Sequence, residues 1–141
     1  MFFYGAMLPS WAEKYKREIS FIDTRNTLNK DMKQQRGSLS TFSRLYIEFL
    51  LPQNIEKVLY LDCDILVLDS LSPFYETDIE KYYCAGVRDC LSIDHLKALG
   101  LKNTDAYINA GVLLINMDMW RKEKVSTKFE DFAQKFSNDE I

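Results

Sequence analysis

No run in this chain approaches the roughly 20 consecutive apolar residues that a membrane-crossing helix needs. Met1 to Leu8 is apolar but too short and too uncharged for a secretory signal. No basic block or stripe is present. Lys and Arg number 18 against 21 Asp and Glu, a net charge of −3, which argues against a nucleic-acid surface. Cysteine is scarce: Cys63, Cys84 and Cys90 make an odd set, so no even disulfide framework exists. With His95 as the single histidine they also lack a zinc-ligand spacing, and the expectation is core thiols in a reducing compartment. His95 itself reads as a surface or helix-terminus residue. No internal repeat, low-complexity tract or linker interrupts the chain.

What is present is apolar substance. Hydrophobic residues make up 47% and aromatics 13% of 141 residues, enough for a sizeable core in about one domain. Trp11, Tyr15 and Ile19 keep helical spacing over Pro9 to Ile19, and Ile19 to Ile22 could form a short strand. Thr24 to Gly37 is polar and reads as loop. Ser38 or Ser40 can cap a helix that carries Leu39, Phe42, Leu45, Tyr46 and Phe49 and stops before Pro52. Val58 to Leu61 is a continuous apolar run of the kind covered on both faces, and Ile65 to Leu68 reads as a second strand. Ser72-Pro73 marks a turn. Tyr82 to Val87 is a further strand, ending at Arg88-Asp89. Ser92 caps a short helix that Gly100 stops, Ala110 to Asn116 is again strand-like, and Val125 to Phe136 is an amphipathic helix. Trp120 reads as a core or rim aromatic, and Asn116 and Asp118 as turn-shaping residues. Helices alternating with buried-type strands predict an α/β fold with a mixed, mostly parallel sheet.

The chemistry centres on YLDCDILVLD, Tyr60 to Asp69. Asp62 and Asp64 stand one residue apart at the carboxyl end of an apolar run, and charges in such places are paired or hold a metal. In extended chain they would point the same way. Ligands of open α/β sheets bind at the carboxyl ends of the strands, and two hard oxygen ligands suit Mg2+ or Mn2+ with water and phosphate completing the shell. An EF-hand is excluded, because Val67 stands where the loop needs glycine. Two enzyme chemistries use a strand followed by D-x-D. A haloacid-dehalogenase-type phosphatase would use the first Asp as nucleophile, but wants Thr or Val where Leu66 stands and a later acidic pair. The other is a glycosyltransferase, whose acids hold a metal against a sugar-nucleotide diphosphate.

Three segments occur in order: TFSRLY (Thr41 to Tyr46), KVLYLDCDILVLDSLSPFY (Lys57 to Tyr75) and YINAGVLLINMDMWR (Tyr107 to Arg121). Together they resemble glycosyltransferase family 8, the retaining GT-A enzymes that include lipopolysaccharide galactosyl- and glucosyltransferases. The resemblance covers nearly the whole chain. It implies a Rossmann-like GT-A catalytic domain of which residues 1–141 are the central part, incomplete at both ends, since the family's opening strand, its later Asp-Gln pair and its later metal-ligating histidine find no counterpart here. By the same resemblance Arg44 lies beside the donor diphosphate and Asp62 and Asp64 hold the metal, Mn2+ or Mg2+. The Cys63 backbone approaches the ribose, its side chain free to face the core. Asp89 is an acid close to the sugar, the catalytic candidate, and Asn109, Ala110 and Gly111 contact the donor sugar. The implied activity is metal-dependent, retaining transfer of a hexose from UDP-galactose or UDP-glucose to a hydroxyl of a glycan, lipid-linked or protein acceptor. A catalytically inactive remnant of that fold is the alternative. The implied location is cytoplasmic, with a peripheral position on the inner membrane face as an option for the intact protein.

Overall fold

The computed structural model describes residues 8–23, 43–90, 92–102 and 107–137. Helix α1 spans Leu8–Lys14. A 3-10 turn, Ser43–Tyr46, runs directly into α2, Ile47–Leu50. Strand β1 is Lys57–Leu61, followed by α3, Ser72–Tyr75, and β2, Cys84–Arg88. Helix α4, Ile93–Ala98, precedes β3, Ile108–Asn116, which passes straight into α5, Met117–Lys122, and then α6, Val125–Ser137.

The three strands form one sheet in the order β1-β3-β2, and β3 is antiparallel to both neighbours. The α/β reading holds, but the mostly parallel sheet does not describe these strands. A crossover between adjacent parallel strands takes a dozen or more residues and usually a helix. The connection from β1 to β2, residues 62–83, is long enough for such a crossover, but β3 inserts itself between the two strands and pairs antiparallel with both. Those two strands run the same way without touching. Their carboxyl ends therefore share one edge of the sheet, with the start of β3 between them.

β3 is the centre of the core. Leu114 and Ile115 are fully buried and Leu113 nearly so, the two-faced burial expected of a continuous apolar run. Leu113 and Ile115 pack with Ile47, Met117 and Trp120, and Val58, Tyr60, Cys84 and Ile108 lean on that cluster. Trp120 is thus a core residue. Asn116 caps α5, its side chain accepting from Met119 N at 3.0 Å. Ser92 caps α4 as expected, accepting from His95 N at 3.3 Å and meeting His95 Nδ1 at 2.8 Å, and Gly100 ends that helix at φ 72°.

Four further expectations change. Ile65 to Leu68 is not a strand: Ile65 N donates to Asp62 O at 3.3 Å, which turns the chain out of the sheet, and Leu66 and Leu68 are 80% and 87% exposed. Ile19 to Ile22 is likewise unpaired coil, with Phe21 63% exposed. Helix α1 stops at Lys14 rather than Ile19, where Lys16 takes φ 52°, a conformation that cannot continue a right-handed helix. Cys63 and Cys90 are exposed rather than core thiols, whereas Cys84 is half-buried and burial pushes up its pKa. The expected helix caps at Ser38 and Ser40 and the loop from Thr24 to Gly37 lie outside the described residues.

Candidate functional site

The site is built where β1 ends. Val58, Tyr60 and Asp62 share one face by strand periodicity, the face that carries the helical cluster. The 3-10 turn before α2 lies over this face and carries Arg44. Its guanidinium carbon is 4.8 Å from the Tyr60 ring centroid, a cation–π contact. Beyond the ring, Arg44 Nη2 is 3.1 Å from Asp62 Oδ1 and Nη1 donates to the Ala110 carbonyl. Arg44 is 15% and Asp62 31% exposed at the side chain, so the pair is partly shielded but open on one side.

Asp62 is held on several sides. Tyr60 Oη donates to Oδ1 at 2.5 Å, and Asp62 N donates to Gly111 O at 2.8 Å. Burial, and then donation to Asp62, push the Tyr60 phenol up to about 12, with the Arg44 charge pulling the other way. Tyr60 therefore stays a donor at any physiological pH. The other carboxylate oxygen, Oδ2, lies over Gly111, where a Cβ would stand 2.8 Å from it and 3.1 Å from Asn109 Oδ1. Asn109 Oδ1 in turn accepts from Gly111 N at 2.8 Å. A glycine is required here for space.

The turn bearing Arg44 is fixed by the far end of the chain. Tyr46 Oη donates to Glu130 Oε1 at 2.9 Å, Ser126 Oγ donates to Leu45 O, and buried Glu48 accepts from Ser126 N at 3.3 Å. Arg121 on α5 clamps the connection from α2 to β1, donating to the carbonyls of Pro52, Gln53 and Ile55 at 2.9, 3.1 and 2.8 Å. Helices α5 and α6 thus set the height of Arg44 above β1.

The structure brings Arg44, Asp62, Asn109, Ala110 and Gly111 together. Cys63 and Asp64 follow on an exposed turn, so the two acids are not related by strand periodicity as an extended chain would have them. The Cys63 side chain faces outward, not toward the core. Asp89 sits at the same sheet edge, at the end of β2, where its N donates to Tyr107 O at 2.8 Å and its Oδ1 accepts from Cys90 N at 2.7 Å. Its carboxylate closes its own turn and makes no bond to Arg44 or Asp62 among the described residues. Tyr60 is the site residue that motif reading passed over. Its signal was its place two residues before Asp62, on the same strand face.

Asp62 and Asp64 are the carboxylates of this turn, and no group of three His, Cys, Asp or Glu that could hold a metal is found among the described residues. That donor set fits a Mg2+-type cation, which typically takes one or two carboxylates and completes its shell with water and phosphate. Arg44 already places positive charge at Asp62, as a bound cation would.

The family model described as glycosyl transferase family 8 matches residues 6–140. A putative glycosyltransferase of Haemophilus influenzae is 38% identical over 106 residues, 72% of this chain and 31% of that protein. General stress protein A of Bacillus subtilis is 27% identical over 125 residues, 88% of this chain and 43% of that protein. The crystal structure of galactosyltransferase LgtC in complex with donor and acceptor sugar analogues superposes with a TM-score of 0.69 at 28% identity, covering 87% of this chain and 46% of that one. The chain thus spans less than half the length of each of these relatives. No helix among the described residues is long and apolar enough to cross a membrane.

Proposed function

This chain belongs to glycosyl transferase family 8, and from that premise we propose that it carries the donor site of a metal-dependent, retaining hexosyltransferase that moves a hexose from UDP-galactose or UDP-glucose to an acceptor hydroxyl. The observation that carries the reading is the convergence of Arg44, Asp62 and the Asn109-Ala110-Gly111 backbone at one sheet end. The family match spans all of these residues, so the dehalogenase-type phosphatase is set aside.

The chemical difficulty in such a transfer is the departure of a nucleoside diphosphate while positive charge grows on the sugar ring. Asp62 and Asp64 would hold Mn2+ or Mg2+, which supplies positive charge against the leaving diphosphate. Arg44 adds a planar fork of donors able to engage phosphate at two points. Its charge counts most as the diphosphate gains charge, so it favours the transition state over the ground state. At Gly111 the missing side chain leaves Asp62 its place and gives the sugar close access to the backbone of β3. Asp89, at the end of the neighbouring strand, is the acid on the sugar side. The acceptor is a glycan, lipid-linked or protein hydroxyl.

The test is release of UDP from UDP-galactose and UDP-glucose by the full-length protein, with Mn2+ and with chelator. Turnover that requires Mn2+ and vanishes in Asp62→Asn is the expected result. Metal-independent turnover, or turnover within a few-fold of the parent in Asp62→Asn, would contradict it.

A further inference from the structure

We infer that Tyr60 is the positioning residue of the donor site: it holds one oxygen of Asp62, Oδ1, and leaves the other, Oδ2, to the cation. The inference rests on the metal-dependent reading above and deepens it. A carboxylate has two oxygens and a rotatable terminal torsion, so a single anchor leaves it free to swing. Here the two oxygens are treated differently. Oδ1 receives the Tyr60 hydroxyl at 2.5 Å and Arg44 Nη2 at 3.1 Å. Oδ2 receives Arg44 Nη2 at the longer distance of 3.5 Å and lies over the space left by Gly111.

The two anchors on Oδ1 are not equivalent. Arg44 is the residue assigned to the diphosphate, so its hold on Asp62 weakens when a donor arrives. Tyr60 has no such second task. Its ring is fixed within β1, in register with buried Leu113 and packed on the core cluster, and its hydroxyl reaches the carboxylate from the same strand. The same ring supports Arg44 from below. Tyr60 therefore keeps the aspartate oriented after the arginine has turned to phosphate. Groups that orient a metal-binding carboxylate typically contribute about 10- to 100-fold to metal affinity.

The decisive variant is Tyr60→Phe in the full-length protein, which keeps the ring and its contact with Arg44 and removes only the hydroxyl. Binding of Mn2+ alone is titrated by electron paramagnetic resonance in the parent, Tyr60→Phe, Asp62→Asn and the double variant. Tyr60→Phe is expected to weaken Mn2+ about tenfold or more, with a cation-free melting temperature close to the parent's. The double variant should bind no worse than Asp62→Asn, because Tyr60 acts only through Asp62. Parent-like Mn2+ affinity in Tyr60→Phe, alongside a loss in Asp62→Asn, overturns the role of Tyr60 alone. So does a double variant whose losses add. Parent-like affinity in both single variants overturns the metal reading and this role together.

Discussion

Gly111 and Asp62 are so close that a Cβ on residue 111 would stand 2.8 Å from Asp62 Oδ2, nearer than a real Cβ comes to any such atom. The close approach is a consequence of the sheet: Asp62 N donates to Gly111 O at 2.8 Å and extends the β1–β3 ladder by one residue. Gly111→Ala should therefore displace the carboxylate and leave the strand intact. The expected result is a donor KM raised about tenfold or more, with a melting temperature within a few degrees of the parent. An unchanged KM would mean that Asp62 does not need its present position.

Arg44→Lys should fail at the same site for a different reason. An ammonium cannot reach Asp62, the Ala110 carbonyl and a phosphate with one planar fork. A drop of about 10- to 100-fold in kcat/KM for the donor is expected, equivalent to roughly 1.4–2.8 kcal/mol at 1.4 kcal/mol per tenfold. A parent-like value from steady-state kinetics would make Arg44 a structural ion pair.

Arg121 is expected to matter for stability. It supplies donors to three carbonyls between α2 and β1, each bond contributing about 1 kcal/mol net. Arg121→Met should lower unfolding free energy by about 2–3 kcal/mol in a urea titration. A loss below about 0.5 kcal/mol would show that the clamp is redundant.

Alkaline pH should loosen the turn that carries Arg44. Burial, then the bond to Glu130, raise the Tyr46 phenol from 10.0 to about 12. The folded state thus resists ionisation that the unfolded chain accepts. The stability linked to Tyr46 is fully present below about pH 10 and is lost as pH rises through about 12. Unfolding midpoints across that window, in the parent and in Tyr46→Phe, measure it. The parent should lose stability more steeply, and identical slopes would contradict the assignment.

Much of this architecture was legible because local patterns agreed with tertiary burial. β1, β2, β3 and α6 fall where the apolar runs and the amphipathic pattern put them, and Ser92 and Gly100 bound α4 as their capping chemistry requires. Ile65 to Leu68 was misread because an apolar run resembles a strand whether or not a neighbour takes its hydrogen bonds, and here the turn at Asp62 removes it from the sheet. Sheet direction was hidden because nothing local records that β3 inserts between two earlier strands. Helix α5 escaped because Asn116 looked like a turn residue, although the same side-chain oxygen that shapes a turn can cap a helix. The motifs marked Arg44, Asp62 and Gly111. That Arg44 lies over Tyr60 and reaches Asp62 depends on long-range packing through Glu48, Ser126 and Arg121, which no short window contains.

On the proposed function, Asp62 and Arg44 bind a cation and the diphosphate of a nucleotide as one unit. Calorimetric titration of UDP into the full-length protein tests it most directly, with Mn2+, with chelator, and in Asp62→Asn. Micromolar binding with Mn2+ is expected, weakening about 100-fold or disappearing both under chelation and in Asp62→Asn. Equal UDP affinity in all three titrations would contradict it.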